Sequence, residues 1–387
     1  MKKIGCFMLV LILLAIAMIN NNHVLISNAE SIDGLSAKSY IVVDGNGKVL
    51  ISNHADERVE VASICKLMTT LLTLESIDAG VIGVDDKVIA SEYACSAEGS
   101  QAFLDAGSEY CIRDLIKSVV IASANDSAIV LAEVIGGNEE NFTKSMNLRA
   151  QELGMKNTLY GNATGLSGNK QYSTAQDTAI ILNEISKYEM YQNDCKIWMD
   201  KLIHPSGRET ELVNTNRLVR YYPNCKTGKT GYTDEAGYCL SSTAEKDNLK
   251  LTCVVLGCDS SADRFSDSVA LYNKAFANYK SEKIIDKDLP IENDIVVKRG
   301  KSDRIQVVAE SDYYLTIPRQ GEDYTIEYNV KRDLSAPIKR GDVVGAANIV
   351  VDGEVVATIN LIADMDIDKE SYIDIVNRVV SKFGFVN

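Results

Sequence analysis

Residues 59–70 read Val-Glu-Val-Ala-Ser-Ile-Cys-Lys-Leu-Met-Thr-Thr, and the spacing inside this stretch decides how the rest of the chain is read. Leu67, Leu71 and Leu74 recur at helical intervals, which predicts a helix from Val61 to about Leu74 that ends near Gly80. Ser63 and Lys66 stand three residues apart at its start. Positions i and i+3 share a helix face, so the Ser63 hydroxyl and the Lys66 amine fall within hydrogen-bonding reach. Ser63 also lies in the first turn, where the helix dipole favours developing negative charge. A lysine can act as a base there only if burial or a neighbouring cation depresses its pKa. Cys65 points about 200° round the helix from Ser63 and is read as structural. The spacing alone does not define a site, because Ser167-Gly168-Asn169-Lys170 repeats it.

Outward from this helix, Ser39 to Ile51 reads as a hairpin: SYIVV and KVLI are strand-like, and Asp44-Gly45-Asn46-Gly47 is strong turn chemistry. Cys111 to Ile121 carries Ile112, Leu115, Ile116, Val119 and Val120 at helical spacing, and a helix resumes from Asp126 to Ile135 after a break at Ser123-Ala124-Asn125. GYCLSSTA and LKLTCVVL, between Gly237 and Leu256, are strands joined by a turn at Asp247 and Asn248; Ser266 to Tyr279 returns to helix. After Lys283 the runs DIVVK, RIQVV, YYLTI, YTIEY and EVVATINLI alternate with Gly, Asp and Pro, the pattern of a small all-β domain. From Lys369 to Phe385 one helical stripe holds Tyr372, Ile375, Val376, Val379, Val380 and Phe383. That stripe fits a helix packed on its own protein or one lying on a membrane surface. The expected organisation is an export signal at 1–29, a catalytic domain at 30–283, a β-sandwich-like domain at 284–366 and an amphipathic helix at 367–387.

The export signal is read from Lys2 and Lys3, an apolar run from Ile4 to Ile19, and small residues at Ser27-Asn28-Ala29. Its removal would take the net charge from −14 to −16, since it holds two lysines and no acid. So acidic a surface repels phosphate backbones and excludes nucleic acid as a partner. Of nine cysteines, Cys6 falls in the signal. The other eight are scattered, without CxxC pairs, and are read as buried thiols and not as a disulfide framework.

Two further sites could carry chemistry. Ser123-Ala124-Asn125 can project a hydroxyl and an amide from the helix break into a cleft, although both are also cap residues. Ser145-Met146-Asn147 and Ser167-Gly168-Asn169 share its pattern. Lys229-Thr230-Gly231 precedes a strand and could bind a substrate carboxylate, with the glycine admitting a close backbone. Lys226-Thr227-Gly228 competes for that role, and Pro223 to Thr230 resembles a phosphate loop whose first glycine is replaced by Pro223. With only three histidines, no HExxH and no GxSxG, neither a metal centre nor a Ser-His-Asp hydrolase is supported, and no cofactor is expected.

SxxK, SxN and KTG in this order resemble the penicillin-recognising serine enzymes. AKSYIVVD and ADERVEVASICKLMTT within 37–70, the stretch 99–133, ELGMKNT, YSTAQD at 172–177 and KTGYTDEAGYCL at 229–240 are similar to one branch, the low-molecular-weight penicillin-binding proteins that are D-alanyl-D-alanine carboxypeptidases. Ala236-Gly237 fixes Lys229, not Lys226, as the functional lysine. Cys65 stands where that family usually has a small residue such as threonine. The resemblance implies an α/β (α+β) serine β-lactamase/transpeptidase-like domain, with an antiparallel sheet flanked by helices, followed by a small all-β domain. It further implies an exported, cell-envelope enzyme that acts on peptidoglycan stem peptides ending in D-Ala-D-Ala and is acylated by β-lactams. Ser63 would be the nucleophile, Lys66 the base in a crowded cationic site, and Ser123 a proton relay. Asn125 would hold the peptide and orient Lys66, Lys229 and Thr230 would receive the carboxylate, Gly231 would admit the substrate backbone, and the N–H groups of Ser63 and Tyr232 would form the oxyanion hole. An endopeptidase, a β-lactamase or a non-catalytic wall-binding protein on the same fold are the alternative readings.

Overall fold

A computed structural model describes residues 32–168 and 170–382. The expected export signal lies outside the described residues, as do Asn169 and Phe383. The chain divides into two compact units between Phe276 and Ala277.

The first unit is built on five strands: β1 (Ser39–Asp44), β2 (Val49–Asn53), β3 (Cys225–Thr233), β4 (Gly237–Lys246) and β5 (Leu249–Cys258). They form one antiparallel sheet in the order β2-β1-β5-β4-β3, so β3 is an edge strand. The β1–β2 turn closes as its sequence demands. The Asp44 carboxylate accepts from the N–H groups of Asn46 and Lys48 at 2.9 and 2.8 Å, and Gly47 takes a φ of +89°. Asp247 and Asn248, both at positive φ, make the tight turn between β4 and β5.

The longer helices are α1 (Lys66–Asp78), α2 (Ile112–Ala122), α3 (Asn125–Gly136), α4 (Glu139–Glu152), α5 (Ala175–Ile185) and α6 (Asp263–Asn278). Ile112, Leu115, Ile116, Val119 and Val120 of α2 are all buried, as the helical spacing requires. In α3 nearly every residue of the first two turns is buried, polar ones included. Helices cover both faces of the sheet. Thr252 of β5 meets Asn183 of α5 on one face. Lys229 pairs across strands with Ser241, which puts Ser242 on the opposite face, and there the Tyr272 hydroxyl of α6 donates to the Ser242 carbonyl at 2.6 Å. The eight described cysteines are free thiols; Cys65, Cys195, Cys239, Cys253 and Cys258 are buried.

The second unit is all-β apart from its last helix. A six-stranded sheet and a two-stranded sheet share one apolar core that includes Ile285, Leu315, Val307, Ala347, Ile349 and Leu361. Strand Tyr279–Ile285 pairs with Tyr313–Pro318 in this core, which is why the unit begins before Lys283. The final helix, Tyr372–Lys382, leaves Tyr372, Ile373, Ile375, Val376 and Val379 exposed. Among the described residues no helix is long and apolar enough to cross a membrane.

Candidate active site

Ser63 lies in a 3-10 turn, Ala62–Cys65, that leads directly into α1. This refines the expected continuous helix. A 3-10 turn has three residues per turn and eclipses positions i and i+3, so it aligns Ser63 with Lys66 more closely than an α-helix would. The Lys66 amine donates to Ser63 Oγ at 2.9 Å and to the Thr164 carbonyl at 2.7 Å. Lys66 is fully buried, and burial pulls its pKa down to about 7. Of the two causes the sequence allows, burial and a neighbouring cation, burial is the one that lowers it; a crowded cationic site is not the cause. Cys65 turns away, as its angular position requires. Its thiol donates to the Asn162 carbonyl at 3.2 Å, and burial pushes its pKa up to about 12, so it remains a neutral thiol.

The Ala62–Cys65 turn is gripped by two glycines. Gly231 of β3 packs so closely that a Cβ there would stand 2.5 Å from the Val61 carbonyl oxygen and 3.2 Å from the Ser63 nitrogen. Gly165, at φ +76°, presses on the Ala62 carbonyl from the other side. Between them Ala62 holds a φ of +49°, a left-handed conformation that a non-glycine residue adopts only when its surroundings impose it.

Ser123 occupies the predicted break as the C-cap of α2, at φ +63°. This left-handed residue swings the chain into α3 and turns its hydroxyl toward β3, where the Lys229 amine donates to it at 2.8 Å. Lys229 also donates to the Thr230 carbonyl at 2.8 Å. It is fully buried; burial first, then the charges of Lys66 and Arg264, hold its pKa well below the usual lysine value. The backbone groups of Tyr232, two residues on along β3, face the same side of the strand as the Thr230 carbonyl. The Thr230 hydroxyl donates to Thr215 Oγ1 at 2.8 Å. The Tyr232 ring is half-exposed, stacked on Tyr238 with centroids 4.3 Å apart. Arg264 of α6 donates to the Gly231 carbonyl at 3.2 Å, bracing the strand from behind.

Asn125, two residues beyond Ser123, is buried. Its Nδ2 donates to the Glu98 carbonyl at 2.5 Å, and its Oδ1 is buried with no partner among the described residues. Its amide is thus engaged with the loop at Glu98, while the amine of Lys66 is held by Thr164. The adjacent Asp126 fixes that loop, accepting from the N–H groups of Ala102 and Leu104 at 3.0 and 3.1 Å.

The competing motifs are elsewhere. Ser167 is an exposed loop residue bonded to the Glu60 and Glu235 carboxylates, and Lys170 is exposed. Asn147 caps backbone carbonyls of Thr143 and Tyr160. Thr227 is tied to Thr243 and Ser186 within the fold. Asn162, Thr164, Gly165, Asp126, Thr215 and Arg264 were not singled out from the sequence. The Asn-Ala-Thr-Gly turn signal at 162–165 was present, but nothing in it pointed to Lys66.

Two family models match this chain. Residues 26–260 match the D-alanyl-D-alanine carboxypeptidase family, and residues 279–369 match the C-terminal domain of penicillin-binding protein 5. The chain belongs to the D-alanyl-D-alanine carboxypeptidase family. The carboxypeptidase DacF of Bacillus subtilis (strain 168) is 37% identical over 348 residues, 89% of each chain. Among solved structures, penicillin-binding protein 5 from Haemophilus influenzae superposes with a TM-score of 0.72 at 30% identity, over 88% of this chain and 100% of that one. A peptidoglycan synthesis regulatory factor (PBP3) from Streptococcus pneumoniae gives 0.75 at 25% identity, over 87% and 100%. The carboxypeptidase fold expected from the three motifs, an antiparallel sheet with flanking helices and a trailing all-β domain, is the one observed. This chain is a serine D-Ala-D-Ala carboxypeptidase by family.

Proposed function

We propose that the protein removes the terminal D-alanine of peptidoglycan stem peptides through an acyl-enzyme on Ser63, with catalysis assigned to residues 30–283. The observation that carries this reading is a buried amine, Lys66, 2.9 Å from Ser63 Oγ with a pKa lowered to about 7. Neutral Lys66 takes the Ser63 proton as Oγ attacks the carbonyl between the two D-alanines. The C–N bond then breaks, and the departing amine receives its proton through Ser123. Oxyanion stabilisation falls to the N–H groups of Ser63 and Tyr232; loss of one such donor costs ~3 kcal/mol, about a hundredfold in rate.

Lys229 and Thr230 receive the terminal carboxylate. Burial disfavours charge on Lys229, and a carboxylate beside it restores that charge, which makes the site selective for a free C-terminus. The edge position of β3 supports a substrate that adds alongside it as a further strand, with Gly231 admitting its backbone and the unpartnered Asn125 Oδ1 accepting from its amide. Water then releases the shortened peptide, whereas β-lactams remain on Ser63. Export through the segment 1–29 places the enzyme in the cell envelope. The exposed apolar residues of Tyr372–Lys382 support contact with the membrane surface, testable by comparing vesicle co-sedimentation of the full chain and a chain ending at Ser371.

The deciding experiment is to incubate the mature protein with penicillin and map the adduct by mass spectrometry. The adduct is expected on Ser63, and Ser63→Ala is expected to release no D-alanine from a peptide ending in D-Ala-D-Ala. A label elsewhere, or undiminished release, overturns the reading.

A further inference from the structure

The Lys66 amine ends a flexible four-carbon stem, so two acceptors are needed to aim it: Ser63 Oγ and the Thr164 carbonyl. The second is a backbone group, and its direction depends on the turn that carries it. Three donors of that turn converge on one atom. Asn162 Oδ1 accepts from the N–H of Gly165 at 2.6 Å, from the N–H of Thr164 at 3.1 Å and from the Thr164 hydroxyl at 3.1 Å. The Asn162 Nδ2 donates to the Leu166 carbonyl at 2.9 Å, which closes the turn from its far side.

The same turn is fastened to the nucleophile helix. The Thr69 hydroxyl donates to the Ala163 carbonyl at 2.7 Å, and the Cys65 thiol donates to the Asn162 carbonyl at 3.2 Å. The Ala163 N–H is held by the Glu139 carboxylate at 2.9 Å. These contacts fix where the turn lies. The side chain of Asn162 fixes how the Thr164 peptide is rotated within it.

We propose that Asn162 is a positioning residue of the hydrolysis: its side-chain amide holds the Thr164 carbonyl on the Lys66 amine and thereby fixes where the base stands against Ser63 Oγ. The inference rests on Lys66 being the base. Asn162 touches no reacting atom; it acts through the Thr164 peptide.

The test is the pH profile of penicillin acylation for Asn162→Ala and Asn162→Asp. In Asn162→Ala the amine loses its aimed acceptor, and a misplacement near 1 Å costs about 10²-fold in rate. Loss of a hydrogen bond that favours the ammonium form moves the acid limb of the profile down by about one pH unit. Asn162→Asp keeps the acceptor for all three donors and brings a negative charge near Lys66, so its acid limb moves up and most of the rate returns above that limb. A role confined to stability leaves both limbs in place. Wild-type acylation with an unshifted limb in Asn162→Ala overturns the proposal, as does a limb that moves the same way in both variants. Should Asn162→Ala fail to fold, Thr164→Val removes one of the three bonds. A slower rate with a downward limb supports the role, and an unchanged profile ends it. Lys66→Ala separates the two readings: if it acylates at the wild-type rate, the base assignment itself falls. If it is dead beside a normal Asn162→Ala, only the role of Asn162 falls.

Discussion

Replacing Gly231 with alanine tests how tightly the edge strand must press on the Ala62–Cys65 turn. Gly231 does not hold a positive φ, so alanine can adopt its backbone conformation and the effect is one of space alone. The new Cβ would stand 2.5 Å from the Val61 carbonyl oxygen, 3.2 Å from Ala62 Cβ and 3.2 Å from the Ser63 nitrogen. Ordinary contact begins at 3.4 Å, so β3 and the turn must part by about 0.9 Å. The obstructing atoms are backbone and a Cβ, none of which can swing aside. Overpacking of this kind costs ~1–3 kcal/mol, a part of the ~5–15 kcal/mol that holds a typical domain folded, so Gly231→Ala should remain folded. The separation falls between Ser63 on one side and Lys229, Thr230 and Tyr232 on the other, and a displacement near 1 Å costs about 10²-fold in rate. Stopped-flow acylation by a fluorescent penicillin, D-alanine release and a thermal melt measure the three consequences. Wild-type acylation in a natively folded Gly231→Ala would falsify the claim that this contact sets the geometry of the cleft.

Other outcomes follow from the same cleft. The acylation rate should fall as the pH drops through about 7, because protonation removes the Lys66 base; Lys66→Arg, charged at every working pH, should be inactive throughout the profile. Lys229→Met should lose about 10- to 100-fold in kcat/KM on a peptide with a free C-terminal carboxylate, and little on the corresponding amide, which kinetics on the matched pair would read. Lys229 binds its proton less tightly folded than unfolded, so wild-type stability should climb with pH up to the unfolded lysine value of about 10.4, and urea titrations of Lys229→Met should show a shallower rise. Asp126→Ala strands the buried N–H groups of Ala102 and Leu104 at ~1–3 kcal/mol each, a loss that chemical denaturation would detect.

What the sequence determined by itself was whatever depends on neighbours along the chain. Ser63 and Lys66 are three residues apart, and any helical backbone brings them together. The same holds for the buried stripe of α2, the Asp44 turn and the helix break at Ser123, each set by residues within one or two turns. The order of the three motifs then named the family, and with it the antiparallel sheet and the trailing β domain. Only the tertiary structure decided what closes the cleft across long separations. The Thr164 carbonyl reaches Lys66 from 98 positions away, and Lys229 reaches Ser123 from 106. A carbonyl is the same group in every residue, so no side chain announces that Thr164 holds the Lys66 amine. The following Ala236-Gly237 singled out the second of the two Lys-Thr-Gly copies, but only the fold shows the contacts behind that choice: the Lys229 amine reaches Ser123, while Thr227 of the other copy is tied to Thr243 and Ser186. The depth of burial that lowers the pKa of Lys66 is likewise a property of everything packed around it, which one-dimensional spacing does not contain.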